Sequence, residues 1–124
     1  MKQYVLHYDG PILTANRQRE IQNRHALNKR ITAMKEAALV LFLSQYKGVK
    51  PTTGMVKVEV YDECKTARLR DIDAVMPTIK AVFDASQGVV YVDDSQIRPL
   101  TFHGAVKSDD KTDRVVFHFW VPDD

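Results

Sequence analysis

The stretch from Arg68 to Ile97 constrains this chain most, because it places an acidic pair on either side of one apolar segment. Asp71 and Asp73 precede the segment, and Asp93 and Asp94 follow it. Carboxylates held a few ångströms apart resist shared ionisation, so their crowding calls for a compensating cation. A hard divalent ion with oxygen ligands meets that need. The competing interpretation is that both pairs are solvated turn residues, which aspartate often is.

Composition and cysteine content set the class of protein. The chain has 124 residues, of which 44% are hydrophobic and 27% charged, as expected for one globular domain spanning residues 1–124. Its single cysteine, Cys64, excludes an internal disulfide and a multi-cysteine metal site and favours a reducing compartment. The first residues lack the long apolar core of a signal peptide, so none is expected, and the longest apolar run, Ala37 to Leu43, is too short to cross a membrane. We therefore expect a cytoplasmic protein of a bacterium or a phage-infected cell, with no membrane partner.

Hydrophobic periodicity predicts an α/β fold. Strands are expected at Tyr4–Tyr8, Met55–Tyr61, Val89–Val92, Leu100–Val106 and Arg114–Val121, with a long helix from about Asn23 to Gly48 and a short one from Pro77 to Gly88. The last two strands flank a turn-like segment and are expected to form an antiparallel hairpin. The final strand has apolar residues on both faces and is expected to be central in the sheet or covered on both sides. The prediction is a mixed four- to five-stranded sheet with one long and one short helix packed on it.

The acidic residues can be placed on this scheme. Alternate residues of an extended segment point to the same side, so Asp71 and Asp73 can face one ion, and Asp94 joins them if its strand ends nearby. A few carboxylates with waters and phosphate oxygens suit Mg²⁺. Lys80, expected near the start of the following helix, can place a positive charge on a phosphate. The alternative for Lys80 is an ordinary solvated lysine.

Three motifs resemble one known family. Arg70-Asp71-Ile72-Asp73, the run from Lys80 to Ala85, and Asp93-Asp94-Ser95-Gln96 together resemble the central motif of the RusA family of Holliday junction resolvases. The segment from Gly10 to Arg17 also resembles the loop that follows the first strand of that family. The resemblance is close between Arg70 and Gln96 and is consistent only in order over the rest of the chain.

The resemblance implies a single RusA-like domain that acts as a homodimeric, Mg²⁺-dependent endonuclease, with Mn²⁺ as a substitute and no organic cofactor. Such enzymes bind four-way DNA junctions and nick two strands symmetrically during DNA recombination and repair, and many are encoded by phages. By position, Asp71, Asp73 and Asp94 match the metal-binding carboxylates of the family, and Lys80 matches its essential lysine. Asp93 is a less certain metal ligand beside Asp94.

A basic stretch is consistent with a DNA partner. Net charge is only +2, but residues 17 to 35 hold six basic residues against one acidic residue. Arginine contacts to phosphate give sequence-independent affinity, which suits a structure-selective enzyme. We expect Arg17, Arg19, Arg24 and Arg70 to contact DNA. The remaining basic residues of the stretch, Lys29, Arg30 and Lys35, are expected to form an ordinary charged helix face.

Two departures from the family pattern keep other functions open. Ala74 stands where the family places an asparagine, and Lys80 follows Asp73 by seven residues instead of four. A three-residue shift on a helix is about 300°, so the lysine returns to nearly the same face, about 4.5 Å along. The alternatives are a weak or inactive junction-binding dimer and a nuclease for other branched DNA.

Overall fold

The computed structural model describes residues 1–46, 48, 50–64, 72–110 and 112–122, and of residues 72, 73 and 105 it describes the backbone only. Four strands form one mixed sheet in the order β1-β4-β2-β3, and three α-helices accompany it. The elements are β1 Lys2–Tyr8, α1 Ala15–Glu20, α2 Arg24–Gln45, β2 Val56–Cys64, α3 Ile72–Ser86, β3 Ile97–Lys107 and β4 Arg114–Val121. The predicted α/β class and sheet size are confirmed, with α1 added to the two predicted helices.

The buried core lies between one face of the sheet and the helices. Phe117 and Phe119 of β4 contact Phe83 of α3 and Phe42 of α2 through their rings. Strand β4 pairs antiparallel with both β1 and β2, so its predicted central position is confirmed. No helix in the described ranges combines the length and the apolar character that a membrane span requires.

On the opposite face of the sheet, none of the described helices packs, and aromatic and imidazole side chains are displayed. Tyr61 of β2 stacks on His103 of β3 with 4.2 Å between the ring centroids, and it meets His118 of β4 edge-on. Lys57 lies over the Trp120 ring, 5.0 Å from its centroid. Burial lowers the pKa of His118 below its usual value.

Helix α2 forms where the sequence places it. The Asn23 side chain accepts a hydrogen bond from the backbone N–H of Ala26 and so caps the first turn. Met34, Ala38 and Phe42 recur every four residues and are fully buried. After the helix ends, Gly48 adopts φ +76°, a left-handed conformation that glycine reaches without a Cβ clash.

The predicted hairpin between the last two strands is wrong, although both strands exist. Strand β3 pairs in parallel with β2, and β4 pairs antiparallel with the other side of β2, so β2 lies between them. The reason is the crossover: β2, α3 and β3 form a βαβ unit, in which the helix packs back over two adjacent parallel strands. Chain proximity favours a hairpin, but the crossover through α3 places β3 beside β2.

The predicted geometry of the acidic turn also needs correction. The segment is helical from Ile72, so Asp73 belongs to the first turn of α3 and not to an extended strand. Pro77 lies inside α3, whereas the sequence placed it in the first turn of a shorter helix. Proline has no N–H, so the carbonyl of Asp73 lacks its usual partner four residues along. Asp71 and Arg70 lie outside the described residues.

The predicted strand Val89–Val92 is wrong as well. Gly88 adopts φ +85° and lets the chain turn at once, and Val90 N–H donates back to the carbonyl of Ser86. Only Tyr91 forms isolated bridges, to Thr52 and Gln87. Its ring is fully buried, and its hydroxyl lies 2.5 Å from the Ser86 hydroxyl and donates to the carbonyl of Phe83 at 2.7 Å. Tyr91 therefore fastens the end of α3 to the segment that follows it.

We expect Tyr91→Phe to lower the free energy of unfolding by about 1 kcal/mol at pH 7, because a buried hydroxyl with two partners is lost. Burial raises the pKa of Tyr91 above its usual value of 10.0. A raised folded-state pKa stabilises the protein below pH 10 and loses that contribution as pH rises further, so the variant should lose less stability than wild type above pH 10. Urea titrations at several pH values measure both effects.

Tyr46→Phe is the matched control, because the Tyr46 hydroxyl is also buried but has no hydrogen-bond partner among the described residues. At pH 7, Tyr46→Phe should lower the free energy of unfolding clearly less than Tyr91→Phe does. An equal loss in the two variants would contradict the proposed role of Tyr91.

Candidate functional site

The acidic residues of the motif lie at opposite ends of α3. Asp73 belongs to the first turn, which follows the carboxyl end of β2, whereas Asp94 follows the last turn and precedes β3. From Asp73 to Ser86 the helix axis rises by about 20 Å. Ile97 pairs with Val56, so the segment around Asp94 stays at the amino end of β2. One chain therefore does not bring Asp94 beside Asp73, and the predicted convergence within one chain is not found.

The acidic pair after α3 divides into two roles. Residues Asp94–Gln96 form one turn of 3-10 helix, and Asp93 is its N-cap. The Asp93 carboxylate accepts hydrogen bonds from the backbone N–H and the hydroxyl of Ser95, which lower its pKa. Asp94 is exposed, and its carboxylate forms no hydrogen bond or ion pair with any described residue. The Asp94 carboxylate is therefore available to an external ligand, whereas the Asp93 carboxylate is already hydrogen-bonded within the turn.

Gln96 holds this turn against the start of β2. Its side-chain oxygen accepts hydrogen bonds from the backbone N–H groups of Val92 and Asp93, at 2.9 and 2.8 Å. Its side-chain nitrogen donates to the carbonyls of Thr52 and Gly54, both at 2.8 Å. A planar amide with four partners fixes the position of its segment. The motif contains Gln96, but its role depends on residues more than forty positions away in the chain.

The sequence predicted Lys80 near the start of its helix, but Lys80 lies in the middle of α3. Seven residues make two helical turns, so Lys80 shares a face with Asp73 at about 10.5 Å along the axis. The Cα–Cβ bonds of a helix tilt toward its start, which directs the lysine toward Asp73. Its side chain is exposed and forms no ion pair with a described residue. Lys80 lines a groove between α1 and α3 beside Lys35, which pairs with Asp84 at 3.4 Å.

Thr78 is a positioning residue that the sequence did not reveal. Its hydroxyl accepts from the backbone N–H of Leu13 at 2.9 Å and donates to the carbonyl of Leu13 at 3.0 Å. Thr78 and Leu13 are both fully buried. Thr78, two residues before Lys80, thus fastens the loop preceding α1 to α3. Only the tertiary contact identifies this role, because a threonine within a helix is unremarkable in sequence.

The predicted basic surface lies where α1 meets the first turns of α2. Arg17 pairs with Glu20 at 3.2 Å, and Arg19 donates to the side chain of Asn16. Arg24 is the first residue of α2, where the positive end of the helix dipole adds to its charge. An open groove of about 700 Å³ runs between the two helices. Lys29 and Arg30, which the sequence assigned to an ordinary face, line this groove together with Arg17.

The described residues supply only part of the carboxylate ligands that the predicted Mg²⁺ site needs. Among the described residues, no three His, Cys, Asp or Glu side chains are arranged to hold a metal ion. Asp94 supplies one exposed carboxylate of the kind Mg²⁺ prefers. Asp71 and the side chain of Asp73 lie outside the described part.

No protein-family model matches this sequence, and no curated protein matches it closely enough to count as a relative.

We expect Gln96→Met to release the turn that carries Asp94. The change keeps the length of the side chain and removes all four hydrogen bonds, which should lower the free energy of unfolding by about 1–3 kcal/mol. The backbone amides of Val92 and Asp93 should exchange with solvent faster, which hydrogen–deuterium exchange measures.

Gln87→Met is the control, because Gln87 is exposed just after α3 and no hydrogen bond of its side chain to a described residue is found. Unchanged exchange at Val92 and Asp93 in the Gln96 variant would contradict the bracing role.

Proposed function

We propose that this protein is a Mg²⁺-dependent, structure-selective endonuclease that resolves four-way DNA junctions by paired nicks, as the resemblance to RusA resolvases implies. The observation that supports it best is the arrangement along α3. The helix begins at Ile72, has Asp73 in its first turn and carries an exposed Lys80 on the same face. The turn that follows it presents Asp94, whose carboxylate has no partner among the described residues. Four hydrogen bonds of the Gln96 side chain to backbone groups hold the turn that carries this exposed carboxylate.

In this proposal two chains form each site. Magnesium binds its oxygen ligands at about 2.1 Å, and the first turn of α3 and the turn of Asp94 lie at opposite ends of a helix about 20 Å long. In a two-fold dimer, Asp71 and Asp73 of one chain can meet Asp94 of the other, and symmetry then creates two identical sites. Two sites are what paired incisions need. The homodimer is thus part of the proposed catalytic unit.

Each group has a definite role in this proposal. Asp71, Asp73 and Asp94 hold the ion, and Asp93 caps the turn that presents Asp94. Bound Mg²⁺ supplies Lewis acidity toward a phosphate oxygen and an activated water. Lys80 offsets the negative charge that develops on the phosphate. Arg17, Arg24, Lys29 and Arg30 attract the DNA backbone, and Arg19 and Arg70 remain proposed contacts.

Wild-type protein should cut a synthetic four-way junction in the presence of Mg²⁺ or Mn²⁺. Asp73→Asn and Asp94→Asn should each lower cutting by about two orders of magnitude or more and leave junction binding intact. When the two inactive variants are mixed and allowed to exchange subunits, cutting should return. Each mixed dimer then has one intact site, so the product should be a nicked junction and not two resolved duplexes.

The mixing experiment separates a shared site from a site within one chain, because in the second case no combination of the two variants is active. Wild type that fails to cut any junction with either metal would refute the enzyme and leave the alternative of a junction-binding dimer. Faster cutting of flaps or Y-forks than of four-way junctions, at matched concentration, would favour the nuclease for other branched DNA.

Arg24→Gln should weaken junction binding and lower the slope of log K against log salt concentration by about 1, because one phosphate contact is lost. Lys50→Gln is the matched control, since Lys50 is exposed beyond the other end of α2, about 30 Å away. Fluorescence anisotropy at several salt concentrations measures both. Equal slopes for Arg24→Gln and wild type would place the DNA elsewhere.

A further inference from the structure

Strand β3 forms an edge of the sheet that is long and partly apolar. It spans Ile97–Lys107, and its outer side pairs with no strand in the described part of the chain. Leu100 and Phe102 share the helix-covered face with Val58 and Val60, their neighbours on β2. Phe102 is only partly covered, and Leu100 is 40% exposed. An edge of this kind is a template for pairing with another strand.

We propose that the outer edge of β3 pairs antiparallel with the same edge of a second copy, with Thr101 on the two-fold axis. This interface rests on the proposed function, since it supplies the dimer that the catalytic site requires. The occupant of the edge is therefore another molecule of this protein and not a foreign peptide.

The local geometry of β3 restricts where pairing can occur. Pro99 lacks an N–H, and Gly104 adopts φ +82° where the register of β2 against β3 shifts. Between them, residues 100–103 form a short regular stretch. Proline residues and bulges often limit pairing along an edge strand. Here they leave residues 100–103 for a partner strand and so restrict the register in which it can pair.

Symmetry then selects the register further. A two-fold axis perpendicular to the sheet keeps the helices of both copies on one face, so residues that lie opposite each other must share a face. An axis at Thr101 places Leu100 opposite Phe102 of the second copy, twice, on the helix-covered face. Thr101 meets its own counterpart on the other face. The pairing thus covers Leu100 and Phe102, two partly exposed apolar side chains of this edge.

The same pairing brings the two ends of α3 together. Helix α3 connects β2 to β3 and lies on the covered face of the sheet, where Phe83 contacts Phe117 of β4. The two-fold axis therefore places the two copies of α3 antiparallel to each other on one face of an extended sheet. The first turn of one α3, with Asp73, then lies at the end of the pair where the other copy carries Asp94. Lys107 at the end of one β3 also approaches the acidic turn that precedes the other β3, so the charges are complementary.

Two other surfaces are less suited to this role. Helix α2 exposes an apolar stripe of Leu39, Val40 and Leu43. The helix-free face of the sheet displays Tyr61 and Trp120 among histidines. A dimer through that face would place the helices of the two copies on opposite outer sides, and a dimer through α2 would leave β3 distant from its counterpart. Neither arrangement brings Asp73 near Asp94.

Cysteine cross-linking tests the interface directly. Opposed residues of antiparallel strands have Cα atoms about 4.5–5.5 Å apart, within the range of a disulfide. Thr101→Cys should therefore form a disulfide-linked dimer under mild oxidation, as seen on a non-reducing gel. Wild type is the background control, because its one cysteine, Cys64, is buried. Leu43→Cys reports on the α2 stripe and should remain unlinked. A cross-link at Leu43 without one at Thr101 would overturn the proposal.

A second variant tests the interface without oxidation. Leu100→Asp should shift the protein to monomer in sedimentation velocity while its circular dichroism stays native, because a charge enters the apolar contact. Leu43→Asp should leave the dimer intact. A dimeric Leu100→Asp variant would contradict the interface, and so would a wild type that is monomeric at every concentration tested.

The failure of this interface can be told apart from the failure of the proposed function. If Thr101→Cys cross-links but wild type cuts no junction, the interface stands and the function fails. If mixed Asp73→Asn and Asp94→Asn variants regain cutting but Thr101→Cys does not cross-link, the function stands and the dimer uses another surface.

Discussion

The parallel pairing of β2 with β3 is the interaction on which the rest of the structure depends. It requires a crossover, and α3 provides it by packing Val75, Ile79 and Val82 against the sheet. The pairing places β3 at the edge and leaves the other side of β2 to β4. It also fixes the two acidic segments at opposite ends of the same helix. The architecture, the edge strand and the separation of the carboxylates all follow from this one pairing.

The end of the crossover is held by polar contacts. The Tyr91 hydroxyl fastens the last turn of α3, and the Gln96 amide fastens the following turn to the start of β2. The Tyr91 contact is local in the chain, whereas Gln96 joins segments more than forty residues apart, and both residues lie within three positions of Asp94. A rigid support beneath an exposed carboxylate is what preorganised binding of a cation or phosphate requires. The basic surface of α1 and α2 is attached to the same helix through Thr78.

In the proposed function the site belongs to a dimer and not to one chain. One chain has Asp73 in the first turn of α3 and Asp94 after its last turn. Coupling metal binding to dimerisation would make cutting depend on the presence of both subunits, which suits the proposed cutting of two strands. The proposed pairing through β3 links this requirement to a particular surface of the fold.

Local pattern alone determined much of this protein. Burial of one or two faces of an element leaves a period in its sequence, and such periods were sufficient to predict β2, α2 and β4. They are the alternation in β2, the four-residue spacing of Met34, Ala38 and Phe42 in α2, and the apolar residues on both faces of β4. The motif residues could likewise be named from their types and order. Only the tertiary structure decided that β3 joins β2 and not β4, that Asp73 is helical, and that Asp93 and Asp94 have different roles. These outcomes depend on contacts between residues far apart in the chain, such as Gln96 with Thr52, and such contacts leave no local period to read.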